Sequence, residues 1–330
     1  MGKTLTAISL FSGCGGFDWG ASRAGLKILW ANDIDRTAAS AYCSLFPGVD
    51  FHLGDIRNVC SFPASDILIG CYPCTGFSVA ARRRWRGDIA NGVEKRDLTK
   101  CKGNFLYLEF MRVLNETHPK YFFVENVRGM LSASNGWFFN EQIHGFKTAG
   151  YKVKFNLLKA ADFGAAQARQ RIFIVGVRSD IAQQYSYTFP SPTHGPGALM
   201  PYNTMRQSIG DLPLWPEGEF CNAPFHGHYL TRNRKRPWDS ISYTIVADAD
   251  HVPLHPGGLP MKKTGKDAWA LQGTFNRRLS WRECARLQGL PDHIAPQGPL
   301  DEKYKVIGNA VPPFLGEAIV APIVKYELGL

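Results

Sequence analysis

Short apolar runs alternate with amphipathic stretches along the first 180 residues. Four runs contain few polar positions, which is typical of parallel strands buried on both faces; they lie at 5–11, 28–31, 67–70 and 121–124. The stretch 104–114 has helical periodicity, while 151–158 and 171–177 alternate as a hairpin that would extend the same sheet. This order predicts a doubly wound α/β fold with a mostly parallel sheet.

The pattern changes in the second half of the chain. Between 186 and 276 no long periodic helix is evident, and 11 of the 21 prolines fall in 186–260. Such a stretch predicts a smaller, loop-rich domain. Helical patterns return at 281–288 and 312–330, which we expect to rejoin the first domain. The predicted domains are therefore 1–185, 186–276 and the returning segment 277–330.

Basic residues outnumber acidic ones, 38 to 28, and the surplus is concentrated in two places. Residues 82–102 hold eight basic and three acidic residues, which is half of the net charge of +10. A second cluster comprises Arg232, Arg234, Lys235 and Arg236, close to Tyr229 and Trp238. Basic residues interleaved with aromatic ones suit a polyanion such as nucleic acid. A solvated basic face that keeps the protein soluble is the alternative.

Eight cysteines are scattered singly, without the spacing of a disulfide framework or of a zinc site. The N-terminus carries no signal-peptide core, and no apolar run reaches 18 residues. We therefore expect a soluble cytoplasmic protein with reduced thiols, no membrane association and no metal.

One cysteine has the position of a nucleophile. Cys74 lies in "GCYPCTGFS" (70–78), just beyond a predicted strand, and ligands of α/β folds gather at the carboxyl ends of strands. Inert packing is the more common role of a lone cysteine. Glu125 and Asn126 follow the next strong strand, where Glu125 could serve as a proton donor or, alternatively, cap a helix.

Two further patterns suggest binding groups. Gln167, Arg169 and Arg171 alternate onto one face as a strand begins, so two guanidiniums could act on a thiol or a carbonyl oxygen. In "FSGCGGFDWG" (11–20) glycines at 13, 15 and 16 lie in a strand-to-helix turn, where a ligand could approach the backbone. That turn is also compatible with a nicotinamide cofactor or with no ligand.

Taken together, these motifs resemble those of the DNA (cytosine-5) methyltransferase family and occur in the same order. They are Pro73-Cys74 with Phe77-Ser78, Glu125-Asn126-Val127, Gln167-x-Arg169-x-Arg171, "RRLSWRECARLQGLPD" (277–292) and "GNAVPP" (308–313). The resemblance covers about 5–178 and 277–325. It implies the fold type of S-adenosylmethionine-dependent methyltransferases, with 186–276 as the target-recognition domain.

The resemblance also implies a covalent mechanism on a cytosine flipped out of duplex DNA. Cys74 would add to carbon 6 so that carbon 5 can accept a methyl group. Glu125 would contact N3 and the exocyclic amine, and Arg171 would bind O2 with Arg169 as electrostatic support.

Cofactor and DNA contacts follow from the same resemblance. For S-adenosylmethionine the expected residues are Phe11, Gly13, Gly15, Asp33 for the ribose, Ile34 and Asp55 for the adenine, Pro73, Asn309 and Val311. Helix capping is the alternative role of Asp33 and Asp55. For DNA the expected residues are Ser78, Arg82, Arg83, Arg84, Arg232, Arg234 and Arg236.

Three positions depart from the family pattern: Thr75, Ala166 and Asp33 replace a polar amide, a proline and a glutamate. The predicted partner is double-stranded DNA, which would associate a monomeric prokaryotic enzyme with the nucleoid. A cognate restriction endonuclease acting on the same site is left open. The alternative that the protein is an RNA cytosine methyltransferase with the same catalytic residues is also left open. A non-catalytic relative is disfavoured because Cys74 and Glu125 are both present.

Overall fold

A computed structural model describes residues 4–73 and 102–329. Its main sheet has seven strands in the order β3-β2-β1-β4-β5-β7-β6. The strands are β1 (Thr6–Leu10), β2 (Lys27–Asp33), β3 (Asp50–Leu53), β4 (Ile67–Gly70), β5 (Tyr121–Val127), β6 (Tyr151–Lys159) and β7 (Gln170–Arg178). Neighbours from β3 to β5 are parallel, while β7 is antiparallel to β5 and β6. The predicted α/β class, the mostly parallel sheet and the hairpin are confirmed.

Helices cover both faces of this sheet, as the doubly wound pattern predicts. In the described residues they are α1 (Gly16–Arg23), α2 (Arg36–Leu45), α3 (Tyr107–Thr117), α4 (Trp137–Thr148), α5 (Met205–Ile209), α6 (Trp281–Gln288), α7 (Leu300–Asn309) and α8 (Pro313–Leu328). Successive residues of β4 point to opposite cores, because Ile67 packs with α1 and α8 whereas Leu68 packs with α3 and α4. The predicted helix 104–114 begins later, at Tyr107, after the 3₁₀ turn Lys102–Phe105.

Helices α1 and α8 approach closely through glycines. A Cβ at Gly20 would lie 2.0 Å from the Pro313 carbonyl oxygen, and one at Gly16 would lie 2.2 Å from the Val311 oxygen. Among the described residues, one stretch, Leu300–Leu328, which contains α7 and α8, is long and apolar enough to cross a membrane by length and composition alone. It belongs to the core, because 67% of its most apolar window is buried within the protein.

Residues 186–276 consist mainly of loops. Their short elements are α5, the 3₁₀ turns Tyr229–Thr231 and Ala249–His251, and the hairpin of β8 (Lys262–Gly265) and β9 (Ala268–Ala270). Tyr229, Leu254 and Met261 form a small apolar cluster of their own. Other residues of this region, including Ile245 and Val252, pack instead into a larger core shared with α6 and α7. The proposed boundaries at 185 and 276 remain a prediction.

Candidate active site

The carboxyl ends of four parallel strands bring the predicted site residues to one edge of the sheet. Gly13 follows β1, Asp33 ends β2, Pro73 follows β4 and Glu125 lies near the end of β5. Arg171 reaches the same edge because β7 is antiparallel to β5 and pairs it with Val127. Cys74, Ser78, Arg82, Arg83 and Arg84 lie outside the described residues, so their predicted roles remain predictions.

Glu125 and Arg171 form a buried ion pair at this edge. The Arg171 Nε atom lies 2.7 Å from Glu125 Oε1, and both side chains are largely buried. Oε1 therefore lies against the Arg171 cation, although among the described residues it makes no aligned hydrogen bond. Burial raises the pKa of Glu125 although the cations of Arg171 and Arg169 oppose the shift. A carboxyl group held in this way can carry a proton and present it to a ligand.

Asn126 links the end of β5 to the chain segment just before Cys74. Its Oδ1 accepts a hydrogen bond of 2.8 Å from the Val127 N–H, and its Nδ2 lies 3.5 Å from the Tyr72 carbonyl oxygen. The Tyr72 hydroxyl donates to Gln142 Oε1 at 2.5 Å. These contacts fix the approach to Pro73. The sequence analysis missed Tyr72 and Gln142, because their pairing joins residues 70 positions apart.

Arg169 lies in a junction of backbone segments. It is 1% exposed, and its Nη1 donates to the carbonyl oxygens of Ile245 at 3.1 Å and Gly308 at 2.9 Å. Its Nη2 donates to the Asn309 carbonyl at 3.2 Å. The predicted electrostatic support of the cytosine O2 contact by Arg169 remains a prediction. In the structure, the hydrogen bonds of its guanidinium go to the protein backbone.

Asp33 has the geometry of a hydroxyl-binding carboxylate. Its Oδ2 accepts from the Gly13 N–H at 2.8 Å, and its Oδ1 accepts from the Asp35 N–H at 2.9 Å. Each oxygen therefore keeps a lone pair for a further donor. Gly13 has φ of 57° and open space where a Cβ would point, and the neighbouring Ile34 is 69% exposed. These residues fit a nucleoside group, as the cofactor prediction requires.

Asp55 has the alternative role considered from the sequence, that of a cap. Its Oδ1 accepts from the Arg57 N–H at 3.0 Å, and the Arg57 guanidinium also hydrogen-bonds both carboxylate oxygens. The Arg57 side chain lowers the pKa of Asp55 to about 2. A contact between Asp55 and adenine remains a prediction.

The remaining cofactor candidates line the same end of the fold. Phe11 has φ of 55° in the turn after β1, and its ring lies 6.2 Å from that of Tyr72. Gly15, with φ of 82°, begins α1 and faces Tyr42. The Asn309 side chain is exposed, whereas Val311 is buried against Gly16. Contacts of these residues with a donor remain predictions.

The second basic cluster corrects part of the DNA-contact prediction. Arg234 is 4% exposed and donates from Nε to the Tyr229 carbonyl at 3.0 Å and from Nη1 to the His251 carbonyl at 3.1 Å. Because its guanidinium holds the interior of the region, we withdraw Arg234 from the DNA-contacting set. Arg232 is exposed, and Arg236 stacks 4.3 Å from the centre of the Tyr243 ring.

Comparisons with known proteins agree with this geometry. The family model for C-5 cytosine-specific DNA methylases matches residues 5–325. The chain is 40% identical to the type II methyltransferase M.BsuRI of Bacillus subtilis and 37% identical to M.BspRI of Lysinibacillus sphaericus. These matches cover 98% of this chain and 80% and 82% of the relatives.

Solved structures agree on the fold. A protein of Escherichia coli assigned as a prophage-encoded DNA modification methyltransferase superposes with a TM-score of 0.72 at 21% identity, over 98% of this chain and 99% of its own. The Schizosaccharomyces pombe Dnmt2 methyltransferase superposes with a TM-score of 0.65 at 16% identity, over 99% and 100%. With the family model matched over nearly the whole chain, the protein belongs to the C-5 cytosine-specific DNA methylase family.

Proposed function

We propose that this enzyme transfers a methyl group from S-adenosylmethionine to carbon 5 of a flipped cytosine in a specific duplex DNA sequence, through an adduct with Cys74. The observation that carries the proposal is the buried Glu125–Arg171 pair at the strand edge that Pro73 also reaches. A carboxyl group that can hold a proton, beside a guanidinium, matches the N3 and O2 edge of cytosine.

The Cys74 thiolate forms a bond to carbon 6, and the electron pair of the 5,6 double bond moves to carbon 5. Glu125 donates a proton to N3, a role that the upward shift of its pKa by burial favours, while its other oxygen accepts a hydrogen bond from the exocyclic amine. Arg171 donates to O2, where negative charge develops. Carbon 5 would take the methyl group, and the donor would leave as S-adenosylhomocysteine. Carbon 5 then loses its proton to a base, N3 returns its proton to Glu125, and the bond between carbon 6 and the cysteine sulfur breaks to release the thiolate.

The donor supplies an electrophilic methyl group when it is bound. Support for its site comes from Asp33, whose two oxygens each keep capacity for a ribose hydroxyl, and from the open space beside Gly13. The exposed Ile34 side chain next to Asp33 offers an apolar surface for the adenine ring.

Duplex DNA would lie against this edge, with 186–276 as the target-recognition region. The exposed Arg232 and the partly exposed Arg236 suit phosphate contacts there. The type II names of the relatives support a companion restriction endonuclease that acts on the same sequence. We expect the enzyme to act as a monomer.

Duplex DNA with 5-fluorocytosine at the target position tests the mechanism. Fluorine cannot leave carbon 5 as a proton does, so the adduct should survive denaturation as a protein band shifted by the mass of the DNA. The trap should require the methyl donor, and mass spectrometry should place the bond on Cys74. A bond on Cys71, persisting in Cys74→Ser, would overturn the residue assignment. The absence of an adduct with a confirmed substrate sequence would overturn the covalent mechanism.

A further inference from the structure

Three segments from distant parts of the sequence meet around Arg169. They are the lead into β7 (166–169), the segment 242–247 of the loop-rich region, and residues 308–311, which run from the end of α7 towards α8. We call this meeting point the Arg169 junction. The first segment leads to Arg171 of the cytosine pocket, the second lies in the proposed recognition region, and the third contains the proposed donor residues Asn309 and Val311.

Backbone hydrogen bonds join the first two segments in a short parallel pairing. The Ala168 N–H donates to the Ser242 carbonyl at 2.9 Å, and the Ser242 N–H donates to the Ala166 carbonyl at 2.8 Å. The Thr244 hydroxyl adds a contact of 3.3 Å to the Ala168 carbonyl. The segment 242–247 therefore lies beside the residues that lead into the strand that carries Arg171.

The second and third segments touch at a glycine. A Cβ at Gly308 would lie 2.3 Å from the Val246 carbonyl oxygen and 2.4 Å from the Ala247 nitrogen. Only the absence of a side chain permits this approach. The donor-side residues thus rest on the backbone of the loop-rich region without an intervening layer of side chains.

Arg169 is the one side chain that hydrogen-bonds both sides of this contact in the described residues. Its Nη1 bridges the carbonyls of Ile245 and Gly308, and its Nη2 holds the Asn309 carbonyl. A planar guanidinium can serve three acceptors in fixed directions, whereas a lysine ammonium on a flexible stem cannot reproduce that fork. Both terminal nitrogens of Arg169 donate hydrogen bonds to backbone carbonyls. The side chain therefore affects the ligand sites through the backbone segments that it holds in place.

We propose that Arg169 is a positioning residue that couples donor binding to DNA binding, by locking the residues 308–309 and the segment 242–247 into one arrangement beside the cytosine pocket. The proposal rests on the proposed function. A ligand on either side orders the junction once, so the second ligand meets an arrangement already formed and binds more tightly. The coupling should depend on the shape of the guanidinium and not on its charge alone.

The test measures the dissociation constant of S-adenosylhomocysteine by calorimetry, with and without a cognate duplex identified by bisulfite sequencing of host DNA. In the wild type we expect the duplex to tighten this binding about 10-fold, within the usual range of coupling between sites. We compare the dissociation constant without the duplex to that with the duplex. In Arg169→Met and in the charge-preserving Arg169→Lys this ratio should fall to within twofold of one. Ser242→Ala is the matched control and should keep the wild-type ratio, because the Ser242 hydroxyl is buried in the junction and has no hydrogen-bond partner among the described residues.

A wild-type ratio in Arg169→Lys would overturn the proposal in favour of a purely electrostatic role, and a ratio of one in the wild type would overturn it outright. If neither Arg169 variant folds, Gly308→Ala decides, because it forces the two segments apart while Arg169 is unchanged. Gly308→Ala should also lose the coupling. A wild-type ratio of dissociation constants in this variant would refute the proposed role of the Arg169 junction. A wild type that neither binds S-adenosylhomocysteine nor methylates duplex DNA would instead refute the proposed function.

Discussion

Glu125→Gln isolates the proton that the proposed mechanism assigns to Glu125. Glutamine keeps the shape of the side chain and one acceptor oxygen but cannot give a proton to N3. In the wild type the Arg171 Nε lies 2.7 Å from a carboxylate oxygen of Glu125, and the replacement removes this counter-charge. The variant therefore removes the acid while it preserves the volume of the pocket.

The expected loss is about 10²- to 10⁴-fold in kcat, the usual contribution of a positioned general acid. This equals about 2.7 to 5.4 kcal/mol of transition-state stabilisation. Stability should also fall, because the neutral amide leaves the buried Arg171 guanidinium without its counter-charge, and removing one partner of a buried ion pair costs about 3 to 5 kcal/mol. Burial disfavours the ionised carboxylate in the folded protein, so its removal offsets part of this loss.

The pH dependence provides a second readout with a defined sign. Because burial raises the pKa of Glu125, the folded enzyme keeps this proton to a higher pH than a free carboxyl group does. The rate of the wild type should fall as the pH rises through that raised pKa. The residual rate of Glu125→Gln should lack this decline, since no carboxyl remains to titrate.

Single-turnover transfer of tritiated methyl groups to a cognate duplex measures the rate, and thermal unfolding checks the fold. Glu141→Gln is a matched control, because Glu141 is an exposed carboxylate on α4, and it should retain wild-type activity. A kcat of Glu125→Gln within tenfold of the wild type, with DNA still bound, would refute the assignment of Glu125 as the acid.

Three further predictions concern the nucleophile, the donor site and the core. Cys74→Ser should abolish methyl transfer while DNA binding survives, because a serine hydroxyl stays protonated near neutral pH; tritium incorporation within tenfold of wild type would contradict this. Asp33→Ala should weaken donor binding by about 1.5 to 3 kcal/mol, the scale of hydrogen bonds to a charged group; unchanged affinity in calorimetry would leave Asp33 without a role at the cofactor site. Gly20→Ala should cost about 1 to 3 kcal/mol of unfolding free energy, because the new Cβ would lie 2.0 Å from the Pro313 carbonyl oxygen. Urea denaturation should show no such loss for Gly48→Ala, where the space is open.

Local sequence predicted the elements with strong patterns of their own. The strand Ile67–Gly70 and the helix Trp281–Gln288 have the predicted bounds. The helix begins with a capping box of Ser280 and Glu283 and ends at Gly289 with φ of 89°, so residues adjacent in sequence determine both ends. By contrast, β3 has only four residues, mostly exposed, and its apolar pattern was too weak to detect.

The sequence by itself determined which residues follow the ends of buried strands, and so which side chains gather at the edge where Glu125 and Asp33 lie. Only the tertiary structure decided which cations face outward. Lys235 belongs to the basic cluster, yet its Nζ donates to the carbonyls of Gly257, Leu259 and Phe275 at 2.8 to 3.2 Å. A charge run cannot reveal such partners, because acceptors for a buried cation come from segments 22 to 40 residues away that meet only when the chain folds.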